Sequence, residues 1–222
     1  MKKLCIIGVG GTATDLLSLV ETLNPTLPTA ERWECIGFLD DNPALKNGSF
    51  HGFPVLGALS DAALVDQDVF FAFTIGSPRT AGKREKILRK TEIGRQRFPS
   101  FVHPQAAVPA GWRPGHGTLI SPGVVVSRSA VIGDFVVVLP NSVVSHDSRV
   151  GGFSCLATGV CVSGGVTIGE DAYIGANAAL RDGVCVGKGV LVGLGSAVVS
   201  DIEDGLVVCG VPAKPLAGRN QL

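Results

Sequence analysis

From Val102 to Val198 an aliphatic residue returns at every sixth position: Val102, Val108, Ile120, Val126, Ile132, Val138 and onward to Val192 and Val198. Pro114 alone interrupts the column. The next residue is often glycine (Gly133, Gly151, Gly169, Gly175, Gly187, Gly193), and four places after the aliphatic stands a small or β-branched residue such as Ser142, Ser148 or Val160. A fixed short period is the mark of a solenoid, and six residues mark a parallel β-helix. The pattern predicts short strands whose aliphatics face inward and stack into one core, since a single rung cannot bury its own apolar face. The glycines are expected to supply the turns.

The chain before Val102 lacks this period. Leu4 to Ile7 is a short apolar run expected to form a buried strand, followed by Gly8-Val9-Gly10-Gly11 and then by helical spacing from Thr12 to Leu23, with Leu16, Leu17 and Val20 on one side. Asn24 to Arg32 is a loop. Trp33 to Leu39 forms a second strand ending in Asp40-Asp41, a short helix is expected near Ser60 to Val65, and a third strand lies within Asp68 to Ile75 before Gly76-Ser77-Pro78. Arg79 to Lys90 is a basic helix whose cations (Lys83, Arg84, Lys86, Arg89, Lys90) lie mostly on a solvated face, though one could meet a phosphate. Strand, glycine turn, helix opens a Rossmann-like unit, and the amides at the helix start attract an anion such as phosphate. Taking Ala13 as the last member, a GxGxx(G/A) pattern is present; a plain tight βα turn explains it equally well. The acids after the second strand stand where a nucleotide's sugar or base lies, or else cap a turn. The segment is half of a dinucleotide fold, which favours a nucleotide-sugar over NAD. Two units are therefore expected, residues 1–100 (α/β, half-Rossmann) and 101–222 (all-β, parallel β-helix with a C-terminal cap), hinged at Phe98 to Pro104.

Composition narrows the classes. In 222 residues, 19 Lys and Arg balance 19 Asp and Glu, so nothing resembles a nucleic-acid footprint. Mean hydropathy is +0.37, yet no apolar run approaches the ~18 residues of a spanning helix, and Gly8 to Asp15 breaks the N-terminal apolar run too soon for a signal peptide. The six cysteines form no CxxC pair, which argues against zinc and fits a reduced, cytoplasmic setting.

Within the repeat, Asn141-Ser142-Val143-Val144-Ser145-His146-Asp147 stands out. The lumen admits apolar or small side chains, so His146 and Asp147 must project outward or sit at a corner. An isolated histidine is more often plain surface; here the repeat sets its position and an acid follows it. The tail from Leu206 to Pro215, with Val211-Pro212-Ala213-Lys214, is expected to close the end of the solenoid.

Together the GxGG turn, the FLDD second strand, SHD in the repeat and GVPAK near the end resemble the sialic acid O-acetyltransferase and bacillosamine/perosamine N-acetyltransferase family of hexapeptide-repeat enzymes, over nearly the whole chain. The resemblance implies a left-handed β-helix with three hexads per coil, a homotrimer with sites between neighbouring helices, and acetyl-CoA as co-substrate with no metal. The implied reaction is acetylation of the amino group of a UDP- or GDP-linked amino-deoxysugar, for bacterial surface glycans or glycoproteins. It also implies roles for particular residues: His146 the general base, with Asp147 behind it; Gly8, Gly10, Gly11, Asp40, Asp41 and Gly76 around the nucleotide-sugar; and Cys155, Gly164, Ala176, Leu194, Val211, Pro212 and Lys214 along the coenzyme, the Gly164 amide facing the thioester carbonyl. Two positions depart from some relatives, which carry histidine where this chain has Cys155 and Thr12. An imidazole titrating near neutrality can take the proton that a sugar ammonium must lose, and a neighbouring carboxylate fixes its tautomer. A cysteine acyl-enzyme is not required. O-acetylation of sialic acid, a non-catalytic sugar-binding trimer and a zinc carbonic anhydrase on the same helix are the competing readings; the last needs three histidines around the metal, and His116 and His146 of the repeat have no close companion.

Overall fold

The computed structural model describes residues 1–216. The chain opens with β1 (Lys2–Ile7), whose Leu4, Cys5, Ile6 and Ile7 have no solvent exposure. Strands β2 (Trp33–Leu39), β3 (Ser49–Phe50), β4 (Phe53–Gly57) and β5 (Phe70–Phe73) join it in the order β3-β4-β2-β1-β5. Apart from the β3–β4 hairpin the pairing is parallel. A parallel sheet must be covered on both faces, and alternate residues of β1 serve the two covers. Leu4 and Ile6 pack with Ala13, Leu16, Leu19 and Val20 of helix α1 (Gly11–Leu23), while Cys5 and Ile7 pack with Leu59, Ala62 and Leu88. Leu17 is partly buried and packs against this cluster beside the buried Leu16 and Val20, and Ala13 and Leu19 extend the buried side.

The expected basic helix is shorter than its charge pattern suggests. Only α2 (Arg84–Arg89) is α-helical, preceded by a 3-10 turn at Pro78–Thr80. The short helix after β4 is likewise a 3-10 turn, Leu59–Leu64. Arg84 corrects the solvated-face reading, because its side chain is 1% exposed. Its guanidinium donates to the carbonyls of Ile75, Phe135, Phe153 and Ser154, tying the end of the first sheet to the solenoid. A charge sequestered from water requires such partners, and a charge count along the sequence does not see them.

From Phe101 onward two-residue strands pair in parallel with those 18 residues away, three hexads per coil. They form three sheets, the faces of a left-handed triangular prism. The first face runs Phe101–Val102, Leu119–Ile120, Val137–Val138, Cys155–Leu156, Tyr173–Ile174 and Leu191–Val192, then Val207–Cys209 and an antiparallel Lys214–Pro215. The second runs from Val125–Val126 through Val143–Val144 to Ala197–Val198, the third from Val131–Ile132 through Arg149–Val150 to Cys185–Val186. The sixth-residue aliphatics form one continuous core. Trp112 packs against that core at the first coil, where Pro114 interrupts the column, and Ile202, Leu206 and Ala213 pack against it at the other end. The buried serines are satisfied: the hydroxyl of Ser148 donates to Ser163 O at 2.8 Å and accepts from Val166 N, and Ser142 and Ser154 repeat the arrangement.

The turns are not made where glycine is densest. Positive φ falls three places after each aliphatic, at Phe135, Asn141, Asp147, Phe153, Gly159, Gly165, Asp171 and Asn177. The glycines directly after the aliphatics answer a different demand: a Cβ at Gly151 would lie 2.6 Å from Glu170 N, and one at Gly169 2.6 Å from Lys188 N. Coil-to-coil approach, not turning, excludes a side chain there. Among the described residues no helix is long and apolar enough to cross a membrane.

Candidate functional site

The α/β unit packs on the first face, with Phe101, Leu119, Val137 and Cys155 joining Leu4, Ile6 and α1 in one apolar cluster. Beside α1 lies a cavity of about 430 Å³ lined by Gly8, Gly10, Gly11, Asp40, Asp41 and Gly76. Those are the six residues expected around the nucleotide-sugar. Sequence reasoning passed over others that share the cavity: Thr12, Leu59, Thr74, Ile75, Ser77, Thr80 and Ile87. Lys90, one of the cations expected to offer a phosphate contact, lines it too.

The three glycines of the turn differ in kind. Gly8 has φ +99°, and a Cβ there would lie 2.5 Å from Ile75 Cγ1, so the fold itself requires glycine. At Gly10 and Gly11 a Cβ would meet nothing within 4 Å, and Gly10 is extended (φ 171°). Nothing inside the chain demands glycine at these two positions, which flank open space at the start of a 13-residue helix. Oriented amides at such an end favour an anion. Asp40 holds the turn in place, accepting from Val9 N at 2.7 Å and from Asn42 N at 2.8 Å. Asp41 accepts from Leu59 N at 3.0 Å and from Lys90 Nζ at 2.8 Å. The Lys90 hydrogen bond, then the Leu59 amide, holds the Asp41 carboxyl below the usual carboxylate range.

His146 and Asp147 lie far round the prism from this cavity. Their turn joins Val143–Val144 of the second face to Arg149–Val150 of the third, the edge opposite the first face. Asp147 occupies the positive-φ corner (φ 60°), and its Oδ2 stands 3.0 Å from His146 Nδ1. Both side chains are open to solvent, 70% and 67% exposed. One coil above, a Cβ at Gly164 would lie 2.6 Å from His146 Cε1, so glycine there makes room for the ring. The Gly164 amide donates to Asp182 Oδ1 at 3.0 Å. The same amide is the one expected to face a thioester carbonyl, a role in which the Asp182 side chain would have to share or give up this hydrogen.

A second cavity, of about 490 Å³, lies where Ser77, Pro78 and Arg79 meet the first face and its following corner. It is lined by Ala176 and Leu194, two of the positions expected along the coenzyme, with Tyr173, Leu191 and Gly193. Ser77 borders both cavities. Val211, Pro212 and Lys214 are exposed on the closing hairpin. Cys155 is not available to a coenzyme: it is 1% exposed beneath the α/β unit, and burial pushes its thiol up to about 11. Its place in the repeat suggested access, and the docked unit removes it. Among the described residues no group of three or more His, Cys, Asp or Glu side chains is placed to hold a metal ion.

A hexapeptide β-helix carrying an α/β unit with a glycine-loop cavity is the architecture of a hexapeptide-repeat acyltransferase. Residues 3–91 match the family described as the PglD N-terminal domain. Among solved structures, the chain is 31% identical to the acetyltransferase domain of PglB from Neisseria gonorrhoeae in complex with acetyl coenzyme A, over 97% of this chain and 99% of that one, with a TM-score of 0.81. It is 31% identical, over 97% of both chains, to PerB from Caulobacter crescentus in complex with CoA and GDP-perosamine, with a TM-score of 0.73. WeeI from Acinetobacter baumannii is 25% identical over 96% of this chain and 99% of that one, with a TM-score of 0.78. No curated protein sequence matches. The chain belongs to the family of sialic acid O-acetyltransferases and bacillosamine and perosamine N-acetyltransferases.

Proposed function

We propose that the protein transfers the acetyl group of acetyl-CoA to the amino group of a nucleotide-linked amino-deoxysugar. Residues 1–100 bind the nucleotide-sugar and residues 101–222 bring the base and the coenzyme. The convergence of Gly10, Gly11, Asp40, Asp41 and Gly76 on one cavity at a helix N-terminus carries this reading. It is supported by PerB, whose structure holds CoA and GDP-perosamine.

His146 is the general base. With Asp147 facing Nδ1, the proton resides on Nδ1 and Nε2 is free to accept. Nε2 takes a proton from the sugar ammonium, the amine nitrogen attacks the thioester carbon, the C–S bond breaks, the imidazolium returns its proton to the departing sulfur so that CoA leaves as the thiol, and the nitrogen gives up its remaining extra proton to water as the amide forms. The cavity lined by Ala176 and Leu194, with its Tyr173, Leu191 and Leu194 walls, takes the coenzyme; Val211, Pro212 and Lys214 pack on it beyond.

The imidazole and the nucleotide cavity belong to opposite sides of one prism, so the complete site joins His146 of one copy to the α/β unit of a neighbour in a homotrimer. The exterior of the second face favours that contact: Val125, Val143, Cys161, Ala179 and Ala197 form an unbroken apolar column up it. A reduced, cytoplasmic setting suits six free cysteines.

The test is an acceptor screen in which a thiol reporter follows release of CoA. Transfer to UDP-, GDP- or dTDP-linked amino-sugars, with none to free sialic acid, is the expected result. Turnover confined to free sialic acid would sink the reading.

A further inference from the structure

The two acids that end β2 are committed differently. Asp40 has both oxygens engaged with amides of its own loops, at Val9 and Asn42. Asp41 stands at the cavity rim, paired with Lys90 at 2.8 Å, and the two side chains are 44% and 55% exposed. A carboxylate oxygen accepts more than one hydrogen bond and an ammonium carries three hydrogens, so both partners keep open positions. The same cavity is lined by the aliphatic side chains of Ile75, just after β5, and Ile87, on the helix that ends at Lys90, both partly exposed. An acceptor beside a donor, next to aliphatic side chains and in one cavity with an anion-favouring helix end, suits a nucleobase.

We infer that Asp41 and Lys90 read the base of the bound nucleotide and select those presenting an imino N–H next to a ring carbonyl, namely guanine, uracil or thymine. This rests on the nucleotide-sugar reading above. The Asp41 carboxylate accepts the ring N–H, together with the 2-amino group when the base is guanine. The Lys90 ammonium donates to the adjacent carbonyl oxygen. Cytosine and adenine reverse both contacts: an unprotonated ring nitrogen faces the carboxylate, and amino hydrogens face the ammonium. A site built on paired hydrogen bonds rejects a ligand that leaves its polar groups unmatched. Lys90 also keeps Asp41 ionised well into the acid range, so the acceptor persists.

The experiment is calorimetric titration of the full-length protein with GDP, UDP, dTDP, CDP and ADP. The tightest of the first three is expected to bind about tenfold or more tightly than either CDP or ADP. Asp41→Asn offers either a donor or an acceptor by rotation of its amide, and is expected to shrink that preference below about threefold. Lys90→Gln serves as a second variant should the first lower the melting temperature. CDP or ADP binding within about threefold of the best ligand overturns the inference, as does a preference left intact by both variants. If all five bind alike, the nucleotide-sugar reading stands and base selection alone falls. If none binds and only free sialic acid is acetylated, both fall together.

Discussion

His146 occupies the position just before a left-handed corner, with its acid on the corner itself. That geometry leaves the ring on the outside of the prism, 70% exposed, so removing it is expected to spare the fold. His146→Ala is expected to melt like the parent protein while turnover falls by about 10² to 10⁴, the range of a positioned general base. Turnover at the parent rate would remove His146 from the mechanism. The cysteines make a second prediction. Cys5 and Cys155 are buried with thiols pushed up to about 12 and about 11, whereas Cys161 and Cys185 are exposed on the second and third faces. The thiolate is the reactive form. Alkylation followed by mass spectrometry is therefore expected to modify Cys185 in the native protein and to spare Cys5 and Cys155 until unfolding. Protection of Cys161 while Cys185 reacts would report a covered second face; equal reaction of both would argue against that contact.

At the scale of the rung, the six-residue column was legible because inward-facing aliphatics must recur at the spacing of the strands. The reason for its glycines was not. Sequence periodicity shows that a small residue follows the aliphatic, but only stacked coils show that its Cβ would strike the next backbone, while the turn falls two residues later on Asn, Asp, Phe or Gly alike. Gly151→Ala therefore tests close packing and not turn formation. It is expected to cost about 1–3 kcal/mol in urea unfolding. Loss of no stability would mean that the coils separate freely at that point. The expected basic helix failed for a related reason. Arg84 points into carbonyls contributed by residues 51 to 70 positions away, and no local pattern announces such partners.

At the scale of the molecule, burial of weak acids within the α/β unit and on the first face makes stability depend on alkaline pH. Cys5, Cys155 and Tyr173 titrate at about 12, about 11 and about 12 in the fold, against ordinary values of 9.0, 9.0 and 10.0. Above pH 9 the unfolded chain loses these protons first, so unfolding becomes easier as pH rises from about 9 to about 11–12. Below pH 9 both states hold the protons and the contribution is complete. Urea midpoints measured across this range are expected to fall; a flat profile would deny the burial. The proposed sharing of the site between copies makes the second prediction at this scale. Mixing an inactive His146→Ala protein with one whose glycine loop is blocked by Gly11→Trp, after joint unfolding and refolding, is expected to restore part of the activity. No recovery from verified mixed oligomers would place the whole site in one chain.

The sequence alone determined the solenoid, the half-Rossmann unit, the histidine–acid pair and the glycine loop, because each is a local pattern: a period, a strand followed by a glycine turn, adjacent residues. Only the tertiary structure decided what those patterns face. It buried Cys155 and Arg84 by docking one unit on the first face, engaged the Gly164 amide with a carboxylate 18 residues on, gave Asp40 and Asp41 different partners, and set His146 on the edge opposite the first face, away from the glycine-loop cavity. Contacts between residues distant in the chain depend on how coils and units stack, and that information is absent from any short window of sequence.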